Sequence, residues 1–197
     1  PELMTCPSCG EKGILDIVYD YSEIKSVLSK ESLKKDHDNS MWRYRALMPI
    51  KGEGLSDFLR IGWTPLYRSL RLGRQIGLDT LYIKDDGLNP TGSLKDRASG
   101  VAVAKAIELG YDTISCSSTG NAASSCAGSA ARMGLKSVIF VPERAPLGKV
   151  AQLLIFGANV VSVKGDYRQT FELSKAAIEK WGFYNRNAGI NPVMTEG

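Results

Sequence analysis

A lysine stands at the start of a predicted helix. In the run Asn89-Pro90-Thr91-Gly92-Ser93-Leu94-Lys95-Asp96-Arg97, the Ser-x-x-Asp pattern from Ser93 to Asp96 predicts a helix start, with Lys95 in the first turn. The positive end of a helix macrodipole disfavours a cation. A lysine that is also buried at such a place is held more readily as the neutral amine. Condensation with a carbonyl, the entry to Schiff-base chemistry, requires that neutral amine. Taken alone, the run also fits a solvated lysine on an ordinary helix start.

The second candidate is Ser117-Ser118-Thr119-Gly120-Asn121-Ala122-Ala123, where a strand ends in a tight turn and a helix begins. Free backbone N–H groups and two hydroxyls converge there, which makes an anion site. In an open α/β sheet, ligands bind beyond the carboxyl ends of strands, and this turn lies at such an end. The following helix is rich in Ala, Ser and Gly, so a neighbour must approach it closely. An ordinary capped strand-to-helix turn has the same local sequence.

Other chemistries find no residues to carry them. No G-x-G-x-x-G follows a candidate strand, and Gly148-Lys149 lacks the earlier glycine of a Walker A loop, where Glu143 stands. There is no G-x-S-x-G elbow, and His37, the only histidine, lies in the polar run 34–40. Cys6 and Cys9 form a Cys-Pro-Ser-Cys-Gly turn whose thiolates can share zinc, but a closed structural site takes four ligands. With no second Cys-x-x-Cys, these two are expected to be half of a zinc knuckle. Cys116 and Cys126 sit in apolar context and read as buried small hydrophobes in a reducing compartment.

The elements that must position these residues alternate. Short strands are predicted at 81–84, 113–117, 137–141, 159–163 and 183–185. Helices are predicted from Ser93 to Leu109, Asn121 to Met133, Leu147 to Phe156 and Tyr167 to Lys180, closed by Gly110, Gly134, Gly157 and Gly182. Strands alternating with helices predict an α/β fold with a parallel sheet and right-handed crossovers. Upstream, Gly13–Asp20 reads as a strand and 22–41 as a short helix and linker. Residues 42–59 are mixed, with breaks at Pro49, Gly52 and Gly54.

Composition narrows the function classes. The 197 residues are 43% hydrophobic and 23% charged, enough for a globular core. No run approaches the ~18 apolar residues of a membrane span. No basic-then-apolar leader is seen, so a cytoplasmic protein is expected. A net charge of +4 gives no reason to expect a nucleic-acid partner.

Together the two runs resemble the fold-type II pyridoxal-phosphate enzymes, and within them the threonine synthases. Gly62-Trp63-Thr64-Pro65-Leu66, Lys84-Asp85-Asp86, Asn191-Pro192 and Glu196-Gly197 add to the likeness, as does the Cys-x-x-Cys-Gly segment leading to Tyr19-Asp20. The chain is similar to the front part of such an enzyme. The resemblance implies a Rossmann-like parallel sheet with flanking helices and an incomplete second domain. It divides the chain into an N-terminal segment (1–41), part of a large cofactor-binding domain (42–99), a small Rossmann-like domain (100–185) and a return to the large domain (186–197).

It also implies roles. Lys95 matches the lysine that condenses with pyridoxal 5'-phosphate. Asn121 matches the asparagine on the cofactor's phenolic oxygen, and Ser118, Thr119 and Asn121 match the loop that holds the substrate carboxylate. The implied reaction turns O-phospho-L-homoserine and water into L-threonine and phosphate, with the lysine moving protons at the α and β carbons. The alternatives are a threonine dehydratase-like lyase and a truncated, non-catalytic ligand-binding module. In the family, the glycine-rich cofactor-phosphate loop comes later than the position of Gly197, so residues 1–197 alone are expected to hold the cofactor weakly or not at all. Some members have an arginine near the position of Met194. Lys149, Arg168 and Arg186 are the candidates to replace it, each read as a solvated surface charge. Homodimers are common in the family.

Overall fold

The computed structural model describes residues 3–51 and 59–197; the breaks expected at Gly52 and Gly54 lie outside the described residues. The chain begins with a small antiparallel pair, β1 (Thr5–Cys6) and β2 (Gly10–Ile14), closed by the cysteine turn. Two short helices follow, α1 (Tyr21–Val27) and α2 (Lys30–Lys35), neither with a buried residue. The strand expected over 13–20 is thus displaced. It stops at Ile14 because its partner is only two residues long, and Val18 beyond it is 92% exposed.

A 3-10 segment, Met41–Leu47, precedes a second antiparallel pair, β3 (Leu66–Arg68) with β4 (Tyr82–Lys84), bridged by α3 (Leu70–Ile76). Of these, only β4 is legible in the sequence. Then come α4 (Lys95–Glu108), β5 (Thr113–Ser117), α5 (Asn121–Arg132), β6 (Lys136–Pro142) and α6 (Leu147–Ile155). The chain ends with β7 (Asn159–Val163), α7 (Tyr167–Trp181), β8 (Tyr184–Asn185) and α8 (Val193–Glu196). The last four strands form one sheet in the order β7-β6-β5-β8, with every pairing parallel, as the alternation predicts.

Alternation along β5 sends Ile114 and Cys116 to one face, against Ala123, Cys126 and Ala127 of α5 and Ala102, Val103 and Ala106 of α4. The small residues let the two helices approach closely. A Cβ on Gly128 would stand 2.5 Å from Thr91 Cγ2, so the loop before α4 packs directly on α5. A second cluster gathers Trp42, Leu59 and Ile61 against Val101 and Ala104 of α4 and Val193 of α8; a Cβ on Gly100 would meet Ile61 Cδ1 at 2.5 Å. Helix α4 therefore serves both clusters. Among the described residues, no helix is long and apolar enough to cross a membrane.

The start of α4 differs from its expected capping box. Leu94 occupies the cap position without a side-chain bond, and Asp96 does not reach back to Ser93. Gly92, at φ 81°, turns the loop so that Asp96 accepts instead from the Thr91 N–H at 2.7 Å and from the Thr91 hydroxyl. Ser93 Oγ still accepts from the Lys95 N–H at 3.2 Å.

Candidate active site

Short turns reverse the chain at both ends of β5. Helices α4 and α5 therefore both run against that strand, with their N-terminal ends towards its carboxyl end. They touch through the Ser99 and Ser125 hydroxyls, 2.5 Å apart. Lys95 and Asn121 each lie one turn N-terminal of that contact, on the same helical stripes as the two serines. The two candidates of the sequence thus occupy corresponding places on adjacent helices.

Lys95 is exposed, contrary to the burial a neutral lysine suggested, and its amine has no partner among the described residues. The physical reason is the face it occupies: Leu94, beside it, is 56% exposed, while Ser93 and Asp96 on the other side of the same turn are buried. Asn121 is exposed as well, but its amide is oriented. The Lys149 ammonium, in the first turn of α6, donates to Asn121 Oδ1 at 2.7 Å and to Gln152 Oε1 at 3.4 Å. That leaves the Asn121 Nδ2 hydrogens for an incoming oxygen. Gly120, at the start of α5, carries no capping side chain, and a Cβ there would meet nothing within 4 Å. Ser118 and Thr119 are half-buried beside it, with Ser118 Oγ accepting from the Gly120 N–H at 3.2 Å.

Two buried polar atoms at this end of the sheet lack partners among the described residues, Ser117 Oγ and Asn187 Nδ2. They are neighbours, since the Ser117 N–H donates to Asn187 Oδ1 at 2.9 Å. Unpaired buried polar groups are costly and mark places where a water or ligand atom belongs.

The lysine loop is braced from behind. Asn89 Oδ1 accepts from the Gly62 N–H at 2.9 Å, and Thr64 Oγ1 donates to Asp86 at 2.8 Å. Arg97 grips Asp86 with two N–H bonds of 2.7 and 2.9 Å, and this guanidinium holds the Asp86 carboxyl below its ordinary pKa. Burial raises the Asp96 carboxyl, against the Thr91 bonds that lower it.

The three candidate replacements for the family arginine separate. Arg168 is exposed, as expected. Lys149 is half-buried at the site. Arg186, expected on the surface, is 4% exposed and bonded to Ser99. Met194 lies in the core. Asn187 is the residue that sequence reasoning left without a role. A signal existed: it follows the carboxyl end of the strand predicted at 183–185, as the Asn121 turn follows that of 113–117.

Cys116 and Cys126 are free and buried, as read from the sequence. Cys6 and Cys9 stay together on the first hairpin, but among the described residues no group of three or more His, Cys, Asp or Glu could hold a metal. The zinc knuckle has two ligands at most here.

Residues 58–197 match the family model described as "Pyridoxal-phosphate dependent enzyme". The chain belongs to this family. It is 42% identical over 196 residues to a protein named threonine synthase from Methanocaldococcus jannaschii, covering 99% of this chain and 47% of that one. A threonine synthase of Halalkalibacterium halodurans is 38% identical over 164 residues, 80% of this chain and 46% of its own. The chain thus spans about half the length of the curated relatives it matches. Among solved structures, the processed form of threonine deaminase isoform 2 from Solanum lycopersicum superposes at a TM-score of 0.65 and 19% identity, covering 93% of this chain and 47% of that one. Escherichia coli diaminopropionate ammonia lyase in its apo form gives 0.64 at 17% identity, over 76% of this chain and 51% of that one. These two show the fold, an α/β fold-type II architecture.

The donor set fits the family's cofactor: a free amine at Lys95, an amide presenting its hydrogens at Asn121, and open space over Gly120.

Proposed function

We propose that this chain carries the lysine-bearing part of a threonine synthase, converting O-phospho-L-homoserine and water to L-threonine and phosphate. The observation that carries this reading is the placement of Lys95 and Asn121 one turn above the Ser99–Ser125 contact, with the Lys149 ammonium on the Asn121 amide. Relatives 42% and 41% identical over 99% of the chain bear the threonine synthase name and support it.

Pyridoxal phosphate, when bound, supplies an electron sink for charge developing at the substrate α carbon. The remaining work falls to this chain's residues. Lys95 would hold the cofactor through its Nζ, and the same amine would be the group that moves protons at the substrate α and β carbons. Asn121 Nδ2, left open by the Lys149 contact, would donate to the cofactor's phenolic oxygen. Ser118, Thr119 and the open N–H groups at the start of α5 hold the substrate carboxylate. Lys149 supplies a cation for the substrate phosphate, in the place of the arginine some family members carry near position 194, and Asn187 Nδ2 is a second donor.

The test is turnover by the full-length protein. O-phospho-L-homoserine should yield phosphate and threonine in equal amounts, and Lys149→Ala should raise KM roughly tenfold or more, the scale of a hydrogen-bonded charge. Ammonia and 2-oxobutanoate from threonine would identify the dehydratase-like lyase instead. A folded protein that binds ligand but turns over neither substrate would favour the non-catalytic module.

Two smaller proposals accompany this. The division at 41/42, 99/100 and 185/186 is supported by the β5–β8 sheet lying within 100–185, with α4 reaching across the middle boundary. Zinc at Cys6 and Cys9 is supported by the turn: N–H groups of Cys9 and Ser8 on the sulfur hold the Cys6 thiol below its ordinary pKa, and Gly10 takes the left-handed φ of 58°. Two ligands from elsewhere must complete it. Metal analysis of the protein before and after Cys6→Ser checks this.

A further inference from the structure

Arg186 follows β8 and is 4% exposed, yet among the described residues no carboxylate pairs with it. A buried cation without a counter-charge is costly unless its donors are well used. Its donors converge on one atom: Nε and Nη2 both point to Ser99 Oγ, at 3.1 and 2.9 Å. A serine hydroxyl has two acceptor lone pairs and a single proton. With both lone pairs taken by the guanidinium, Ser99 must give its proton to Ser125 Oγ, 2.5 Å away. Ser125, now an acceptor, has one proton left, and the Ala122 carbonyl lies 3.2 Å from it. The donor direction is therefore set along the whole chain: Arg186, Ser99, Ser125, Ala122 O.

This series joins three elements, the end of β8, the second turn of α4 and the first two turns of α5. It ends on the residue next to Asn121. Hydrogen bonds in such a series polarise one another, and a charged donor at the head strengthens those that follow. We propose that Arg186 is a positioning residue: through Ser99 and Ser125 it holds the start of α5 against α4, and so sets where Asn121 stands relative to Lys95, while Lys149 orients the amide itself. The inference rests on the reading that Lys95 and Asn121 share one site.

The test uses the full-length protein and the variants Arg186→Gln, Arg186→Lys, Ser99→Ala and Ser125→Ala. Two readouts are taken. One is amide hydrogen exchange at 123–126, compared with the β6 amides at 138–141. The other is the share of pyridoxal-phosphate label trapped on Lys95 by borohydride. In Arg186→Gln and Ser99→Ala, exchange at 123–126 should rise roughly fivefold, the scale of one net hydrogen bond, with β6 unchanged. The Lys95 share of label should fall with it. Arg186→Lys keeps the charge but not the two-pronged donor, and should lie between Arg186→Gln and the unaltered protein. Ser125→Ala removes a single hydroxyl and reads the same step if the arginine variants do not fold. Unchanged exchange at 123–126 in Ser99→Ala and Ser125→Ala overturns the proposal. So does an equal rise at 138–141, which would mean general loosening. Absence of label on Lys95 in the unaltered protein would instead sink the cofactor reading, while the exchange data still judge the relay.

Discussion

Strands β5 and β3 are both short, yet all five residues of β5 are buried and all three of β3 are exposed. The same contrast holds for their surroundings. Around β5 the chain supplies its own cover, α4 and α5 on the Ile114 face and α7 packing on the sheet. Around β3 and β4, Leu66, Tyr67, Leu70, Ile76, Tyr82 and Ile83 are each at least 44% exposed. The core is thus closed around β5, whereas the apolar residues around β3 and β4 lie uncovered by the described residues. The candidate site lies on the closed side, at the carboxyl end of β5, while its lysine loop is tied to the open side through Asp86 and Thr64.

The largest stability effect should come from the closed core. Ile139→Ala, at a fully buried position, should cost about 2–5 kcal/mol by urea unfolding. A cost below about 1 kcal/mol would mean that the parallel sheet is not the stable part of the molecule. Next comes the helix contact beneath the site. Gly128→Ala places a methyl against Thr91, which should cost about 1–3 kcal/mol and displace the loop before Lys95.

The tie between the two regions should be weaker and pH-dependent. Asp86→Asn removes the charge opposite Arg97 and should cost about 1 kcal/mol near neutrality, the scale of a half-exposed pair. Because Arg97 lowers the folded-state pKa of Asp86, the stabilisation is complete above the ordinary aspartate value of 3.8 and is lost as pH falls through the lower folded value. The stability difference between Asp86→Asn and the unaltered protein should therefore shrink in acid. Asp96 works in the opposite sense. Burial raises its folded pKa, so its ionised form weighs against folding as pH rises through the range from the ordinary to the raised value.

The smallest effect belongs to the open hairpin. Ile83→Ala should change stability by under about 1 kcal/mol in these 197 residues. A cost comparable to that of Ile139→Ala would show that the β3–β4 face is covered in solution and erase the comparison.

Much of the closed region was legible because its signals are local. Glycines at 110, 134, 157 and 182 end the helices with positive φ, and Val/Ile runs mark the strands between them. The open region was harder. Leu66–Arg68 and Leu70–Ile76 are too short for their periodicity to stand out from loop. At the site, Lys95 and Asn121 were readable as types at helix starts, since both helix starts leave a local imprint. Arg186 and Asn187 were not. Their burial follows from β8 pairing with β5 across seventy residues, and no local pattern distinguishes a buried arginine from a solvated one. The Asp96–Thr91 bonds were missed for a similar reason. The sequence offered a capping box, and the left-handed turn at Gly92 redirected the carboxylate.

The Lys95 amine is the group that must meet the cofactor. Incubating the full-length protein with pyridoxal phosphate, reducing with borohydride and mapping the modified peptide tests this directly. A dominant single label at Lys95 is expected, lost in Lys95→Arg and reduced in Asn121→Ala. Label spread evenly over surface lysines, or concentrated on Lys149 with Lys95 unmodified, would contradict it.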